Sequence, residues 1–172
     1  MRDDVTHKII MAAVASIALL LAPCALAQVR IGHEGWEGFS TRGADGKLDR
    51  CVLYNRSIDA INAEPYEMLG LSNDGTGRIG LLIFYRPGAL TRGPQVPVTV
   101  KIDQRPPAKF TGDVISDFHI KVEGPLDQRT VEALRQTKTI EVTTQGQTQR
   151  FDVSGLAGVL DALASCADAH PP

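Results

Sequence analysis

Phe151-Asp152-Val153-Ser154-Gly155-Leu156-Ala157-Gly158-Val159-Leu160-Asp161-Ala162-Leu163-Ala164-Ser165-Cys166 carries two periodicities in one run, and the fold is read from it. Phe151 and Val153 alternate with Arg150 and Asp152, the two-residue period of a half-buried strand. Ser154 follows where an N-cap hydroxyl would accept an orphan helix N–H. Leu156, Val159, Leu160, Leu163 and Cys166 then fall on one helical stripe, so the cysteine faces inward with the leucines. A strand that runs through a cap into a helix ending on cysteine reads as the closure of a domain.

The segments before it are mostly strands. Val96, Val98, Val100 and Ile102 alternate with Pro97, Thr99, Lys101 and Asp103; Pro97 has no N–H to give a ladder, which predicts an edge at that strand's start. Phe118, Ile120 and Val122 alternate with Asp117, His119, Lys121 and Glu123, predicting another half-buried strand. Met68 to Leu71 and Ile79 to Tyr85 flank the loop Asn73-Asp74-Gly75-Thr76-Gly77 as a β-hairpin. Leu81 to Tyr85 is apolar on both faces, the mark of a central strand. Two early strands are expected, one with Trp36 and Phe39 and one from Leu48 to Tyr54 carrying Cys51, with Trp36 in the core. Asn55 to Pro65 has no clean period beyond a helical turn around Ile58 to Asn62. Lys109 to Thr111 predicts a short strand, and Ile140, Val142, the turn Gln145-Gly146 and Thr148 to Val153 a last hairpin. Asp127 reads as an N-cap, Leu126 and Val131 as a hydrophobic staple, and Val131 with Leu134 as the apolar side of a short helix. The fold class is therefore α+β and β-rich: an antiparallel sheet or sandwich with two helices, the second C-terminal.

Residues 1–27 read as an export signal. Ile9 to Leu21 is apolar apart from Ser16, and Ala25-Leu26-Ala27 offers small residues to a signal peptidase, so cleavage is expected after Ala27. Residues 28–172 then form a single domain, with a disordered tail expected from about residue 168. No stable membrane span remains after cleavage. The leader carries Asp3 and Asp4 against Arg2 and Lys8, so the rest of the chain keeps the net charge of −2. Lys and Arg are scattered, and aromatics make up only 5% of the residues, so nothing supports a nucleic-acid partner. Past the leader two cysteines remain, Cys51 and Cys166, which in an oxidising compartment allow one bridge. The other reading of the pair, a reactive or metal-binding one, lacks CxxC or nearby histidine spacing.

Chemistry is sparsely marked. Ser154 does not meet G-x-S-x-G, since Asp152 stands where the first glycine should be, and a cap explains it. His33 with Glu34 lies near the start of the domain, and His170 sits in the tail. His119 is the histidine on a strong element, sharing a face with Asp117, Lys121 and Glu123. That row is either a solvated mixed-charge surface or a binding face, with Asp117 and His119 as the sharper alternative of a weak metal site. No metal or cofactor motif is present: there is no HExxH, EF-hand or Walker pattern. The loop after the central strand, with Arg86, Leu90 and Arg92, is a candidate interaction loop.

The order of these marks resembles, distantly, the invasion-associated locus B family of exported bacterial proteins. The residues that carry the likeness are Trp36, Cys51, Pro87-Gly88-Ala89-Leu90 with Gly93 ahead of Val96 to Asp103, the Asp127 to Leu134 helix, Ile140 and Val142. Val153-Ser154-Gly155-Leu156 with Ala162 and Leu163 completes it. The resemblance implies a periplasmic or cell-surface β-rich domain, of a kind usually without known catalysis and sometimes linked to host-cell interaction, and it supplies no catalytic residues. The expectation is an exported, non-enzymatic binding module contacting a protein or small ligand of the envelope. The alternatives are a periplasmic hydrolase or metal-dependent enzyme around His119, and an inhibitor or immunity-type protein using the Arg86 to Gln95 loop.

Overall fold

The computed structural model describes residues 29–43, 45–56, 64, 66–76, 78–91, 93, 95–123 and 128–169. Residues 1–28, which include the expected leader, the expected turn at 58–62, Asp127 with Leu126, Arg92 and His170 lie outside the described residues. The strands are β1 (Val29–His33), β2 (Trp36–Arg42), β3 (Leu48–Tyr54), β4 (Met68–Asn73), β5 (Ile79–Phe84), β6 (Val96–Ile102), β7 (Ala108–Ser116), β8 (His119–Val122), β9 (Thr139–Thr144) and β10 (Gln147–Asp152). The helices are α1 (Gln128–Arg135) and α2 (Leu156–Asp168).

All ten strands join one antiparallel network in the order β1-β2-β3-β4-β5-β8-β7-β6-β9-β10. β7 is the corner. Its first half, to Gly112, pairs with β6, and its second half, from Asp113, pairs with β8. The strand is therefore much longer than its apolar pattern at Lys109 to Thr111 predicts. At the corner a Cβ on Gly112 would come within 2.6 Å of Ile120 and 2.9 Å of Val98, so the absent side chain is what lets the two halves approach. Inward residues from both halves, among them Leu53, Leu69, Leu71, Ile83, Ile120, Val98, Ile140, Val142 and Phe151, meet in one core, and Trp36 belongs to it.

α2 supplies Leu156, Val159, Leu160 and Leu163 to that core, the stripe its sequence predicts. Cys166, half-buried at the far end of the same stripe, is bonded to Cys51 of β3, with 6.3 Å between the α-carbons. Arg135 of α1 reaches Asp161 of α2 at 2.7 Å, joining the helices at the surface.

The start of α2 departs from expectation. Gly155, at φ 84°, is the capping residue, and no side chain caps the helix. Ser154 lies one residue too early to reach the helix amides; its hydroxyl and its N–H both bond to Asp152 Oδ1, at 2.8 and 3.0 Å. Those bonds hold the Asp152 carboxyl below the usual carboxylate range. The sequence reading also misses β1. Glu34 and Gly35 take positive φ and turn β1 tightly into β2, and the His33 ring then lies where a side chain on Gly158 of α2 would have to go. β6 runs between β7 and β9, but its start is an edge on the β9 side, as Pro97 predicts. Pro97 is tolerated because the β9 ladder begins only at Val98.

A charged cleft on the outer face of the sheet

Because side chains alternate along a strand, each core residue has a neighbour pointing away from the core. On β3, β4, β5 and β8 those neighbours are Arg50, Val52 and Tyr54; Met68, Gly70 and Ser72; Gly80, Leu82 and Phe84; and His119 with Lys121. Register then sets Val52 beside Ser72 beside Gly80, and Tyr54 beside Gly70 beside Leu82 beside Lys121.

Towards one end of this face the side chains are apolar. Val52, Tyr54, Met68 and Leu82 make a second, smaller cluster with Phe39 and Phe84 against it. The Tyr54 ring lies over Gly70, meets Phe84 edge-on at 5.7 Å and lies 6.1 Å from Phe39. His119 stacks on Phe84, with ring centres 4.2 Å apart. Phe118, 38% exposed, and Ile115, 57% exposed, stand at the rim beside the β7–β8 turn.

Towards the other end the face opens into a cleft of about 190 Å³ lined by Asp49, Arg50, Ser72, Asp74, Arg78, Gly80, Lys121 and Glu123. Ser72 and Gly80 form its floor; a Cβ on Gly80 would lie 2.8 Å from the Ser72 hydroxyl oxygen, so the glycine leaves the space open. The walls are ion pairs. Arg50 Nε donates to Asp49 Oδ2 at 3.2 Å, and Thr41 donates to the same oxygen at 3.1 Å. Arg78 Nη2 donates to Asp74 Oδ2 at 3.0 Å, while Asp74 Oδ1 accepts from the Thr76 N–H and hydroxyl at 2.9 and 2.6 Å. Lys121 pairs with Glu123. Burial would raise the Asp74 carboxyl, but the Thr76 hydrogen bonds and the Arg78 cation outweigh it and hold it low. The Lys121 hydrogen bond and charge, with the Arg78 and Arg50 cations further off, lower Glu123.

The row expected from sequence is thus partly assembled. His119 and Lys121 share the outer face, and Glu123 joins Lys121 at the cleft. Asp117 does not: with Phe118 it forms the tight turn between β7 and β8. That turn carries Phe118 to the outer face instead of the core, so the inward alternation begins only at Ile120. Burial first, then the charges of Lys121 and Arg50, pulls the His119 imidazole down to about 4. Its Nε2 is buried with no hydrogen-bond partner among the described residues. Among the described residues, no nucleophile lies within hydrogen-bond reach of that nitrogen. Among the described residues no three His, Cys, Asp or Glu side chains gather to hold a metal ion, and no helix is long and apolar enough to cross a membrane.

In the candidate interaction loop, Leu90 points into the core at 5% exposure, and its N–H bonds to the Asp117 carbonyl at 3.0 Å. It anchors the loop and presents nothing outward. Gln145 grips both backbone groups of Thr91, and Gln147 reaches Ala89, so the stretch is fastened to the β9–β10 turn. Arg86 is exposed beside Glu64, Tyr66 and Glu67. Sequence reasoning missed Asp49, Arg50, Ser72, Asp74, Arg78 and Gly80. Their one signal is alternation with buried neighbours, as Arg50 with Cys51 and Gly80 with Leu81, and only the strand register shows that they meet.

No family model matches the chain, and no curated protein matches it. Among solved structures the fold is similar to that of invasion associated protein B from Bartonella henselae. The TM-score is 0.55 at 13% identity, over 81% of this chain and 99% of that one. At that identity the likeness is one of fold: the resemblance carried by the sequence marks holds at the level of architecture.

Proposed function

We propose that this chain is an exported envelope protein that acts as a binding module through the outer face of its sheet. The observation that carries the reading is the juxtaposition on one face of a charged cleft with exposed Ile115 and Phe118 beside stacked aromatics. Large apolar side chains left in water beside a polar cleft are typical of recognition surfaces. The disulfide supports export, because such bonds persist in oxidising compartments. The partner is a protein or small ligand of the envelope, and the fold likeness to an invasion-associated protein agrees with a surface role.

The test is capture from an envelope extract, run in parallel with the wild-type chain and an Ile115→Asp, Phe118→Ala variant. A partner held by the first and lost by the second, with unchanged circular dichroism, supports the reading. Equal retention by both refutes the use of this face. Substrate turnover abolished by His119→Ala would replace the module with an enzyme.

A further inference from the structure

Three cations reach the cleft from separate parts of the sheet: Arg50 from β3, Arg78 from just before β5 and Lys121 from β8. Their acidic neighbours are unevenly engaged. Both oxygens of Asp74 accept hydrogen bonds from its own turn, and Asp49 Oδ2 accepts two. Glu123 is the acid on which the three cations bear together. On the donor side, among the described residues, Arg50 bonds through Nε and Arg78 through Nε and Nη2, and each guanidinium carries further N–H donors beyond these bonds. Three cations and three acids thus line the cleft as ion pairs, and the cations keep further donors above a floor kept low by Ser72 and Gly80.

We propose that this cleft binds a phosphate monoester, its oxygens gripped by Arg50, Arg78 and Lys121. A guanidinium fork matches two oxygens of such a group, and a tetrahedral dianion offers a third where a carboxylate has only two. The volume of about 190 Å³ is smaller than a drug-sized pocket, so it takes the phosphate and its nearest substituent. Glu123 stands as the competitor, neutralising the same cations while the cleft is empty. The proposal rests on the outer face being the recognition surface and names the chemistry that it recognises.

The disulfide-bonded chain would be titrated with glycerol 3-phosphate and inorganic phosphate, with acetate as control, following amide resonances by NMR. Vesicles of phosphatidylcholine with and without phosphatidic acid would be tested by co-sedimentation. Expected are shifts centred on Ser72, Gly80 and Lys121 with the phosphates or sedimentation with the phosphatidic acid vesicles; the first marks a soluble ester and the second a lipid headgroup. Arg50→Gln should weaken the binding about tenfold by removing a bidentate charge-assisted contact. Glu123→Gln should tighten it about threefold by removing the competing charge. No response to any phosphate, or a response that Arg50→Gln leaves unchanged in a folded chain, overturns the proposal, as does Glu123→Gln weakening it. The capture experiment turns on Ile115 and Phe118 and this one on Arg50 and Glu123, so failure of either leaves the other readable.

Discussion

Opening the Cys51–Cys166 bond tests how this domain is closed. The bridge spans 115 positions in sequence. Constraining an unfolded loop of that length removes chain entropy worth about 5 kcal/mol at room temperature, the upper end of what disulfides deliver. The folded state should change little, because Leu156, Val159, Leu160 and Leu163 hold α2 in the core without the bond. The loss should therefore come mainly from a freer unfolded chain. Cys51→Ala with Cys166→Ala is the cleaner perturbation, since Cys51 is fully buried and a serine would bring an unpaired hydroxyl into the core. Guanidinium titration of the oxidised and alanine chains should show a fall of several kcal/mol, and melting about 10–20 °C lower for a domain of this size. Amides near Cys166, at the surface end of α2, should lose exchange protection before those near Leu156. A double variant within about 1 kcal/mol of the oxidised chain would refute the closure argument.

Three further outcomes follow from the same structure. Gly112→Ala forces a methyl group against Ile120 and Val98 at the β7 corner and should destabilise by about 1–3 kcal/mol, read by urea midpoint; a neutral result would mean the corner can open. His119 is held neutral in the fold down to about 4, against 6.5 ordinarily, so the unfolded chain binds its proton first. Its contribution is complete above about pH 6.5 and is lost as pH falls towards 4, amounting to about 1–2 kcal/mol once partial exposure is allowed for. The wild-type midpoint should fall relative to that of His119→Phe as pH drops through that window, and a constant difference would contradict the burial argument. Tyr85 is buried with no partner for its hydroxyl among the described residues, and burial pushes it up to about 12. Tyr85→Phe should leave stability unchanged or raise it by up to about 1 kcal/mol, and a clear loss would reveal a bonded water.

What the sequence determined by itself is what local period and residue chemistry can encode. The alternation of Val96 to Ile102 and of Ile120 with Val122, the stripe of Leu156 to Leu163 and the turn at Gln145-Gly146 each depend on near neighbours, and each stands where its pattern puts it. The cysteine pairing was legible for a different reason, that two thiols allow one bridge. Local rules failed where a distant strand decides. Ser154 carries the chemistry of a cap, yet Gly155 takes the left-handed turn into the helix. Phe118 continues an inward alternation that the β7–β8 turn interrupts. The cleft was the least legible feature of all. Arg50, Ser72, Arg78, Gly80 and Lys121 come from four separate stretches, each an ordinary outward position in its own strand or loop. Antiparallel register alone brings them together, because which residues stand opposite one another is fixed by pairing between strands and not by the period within one.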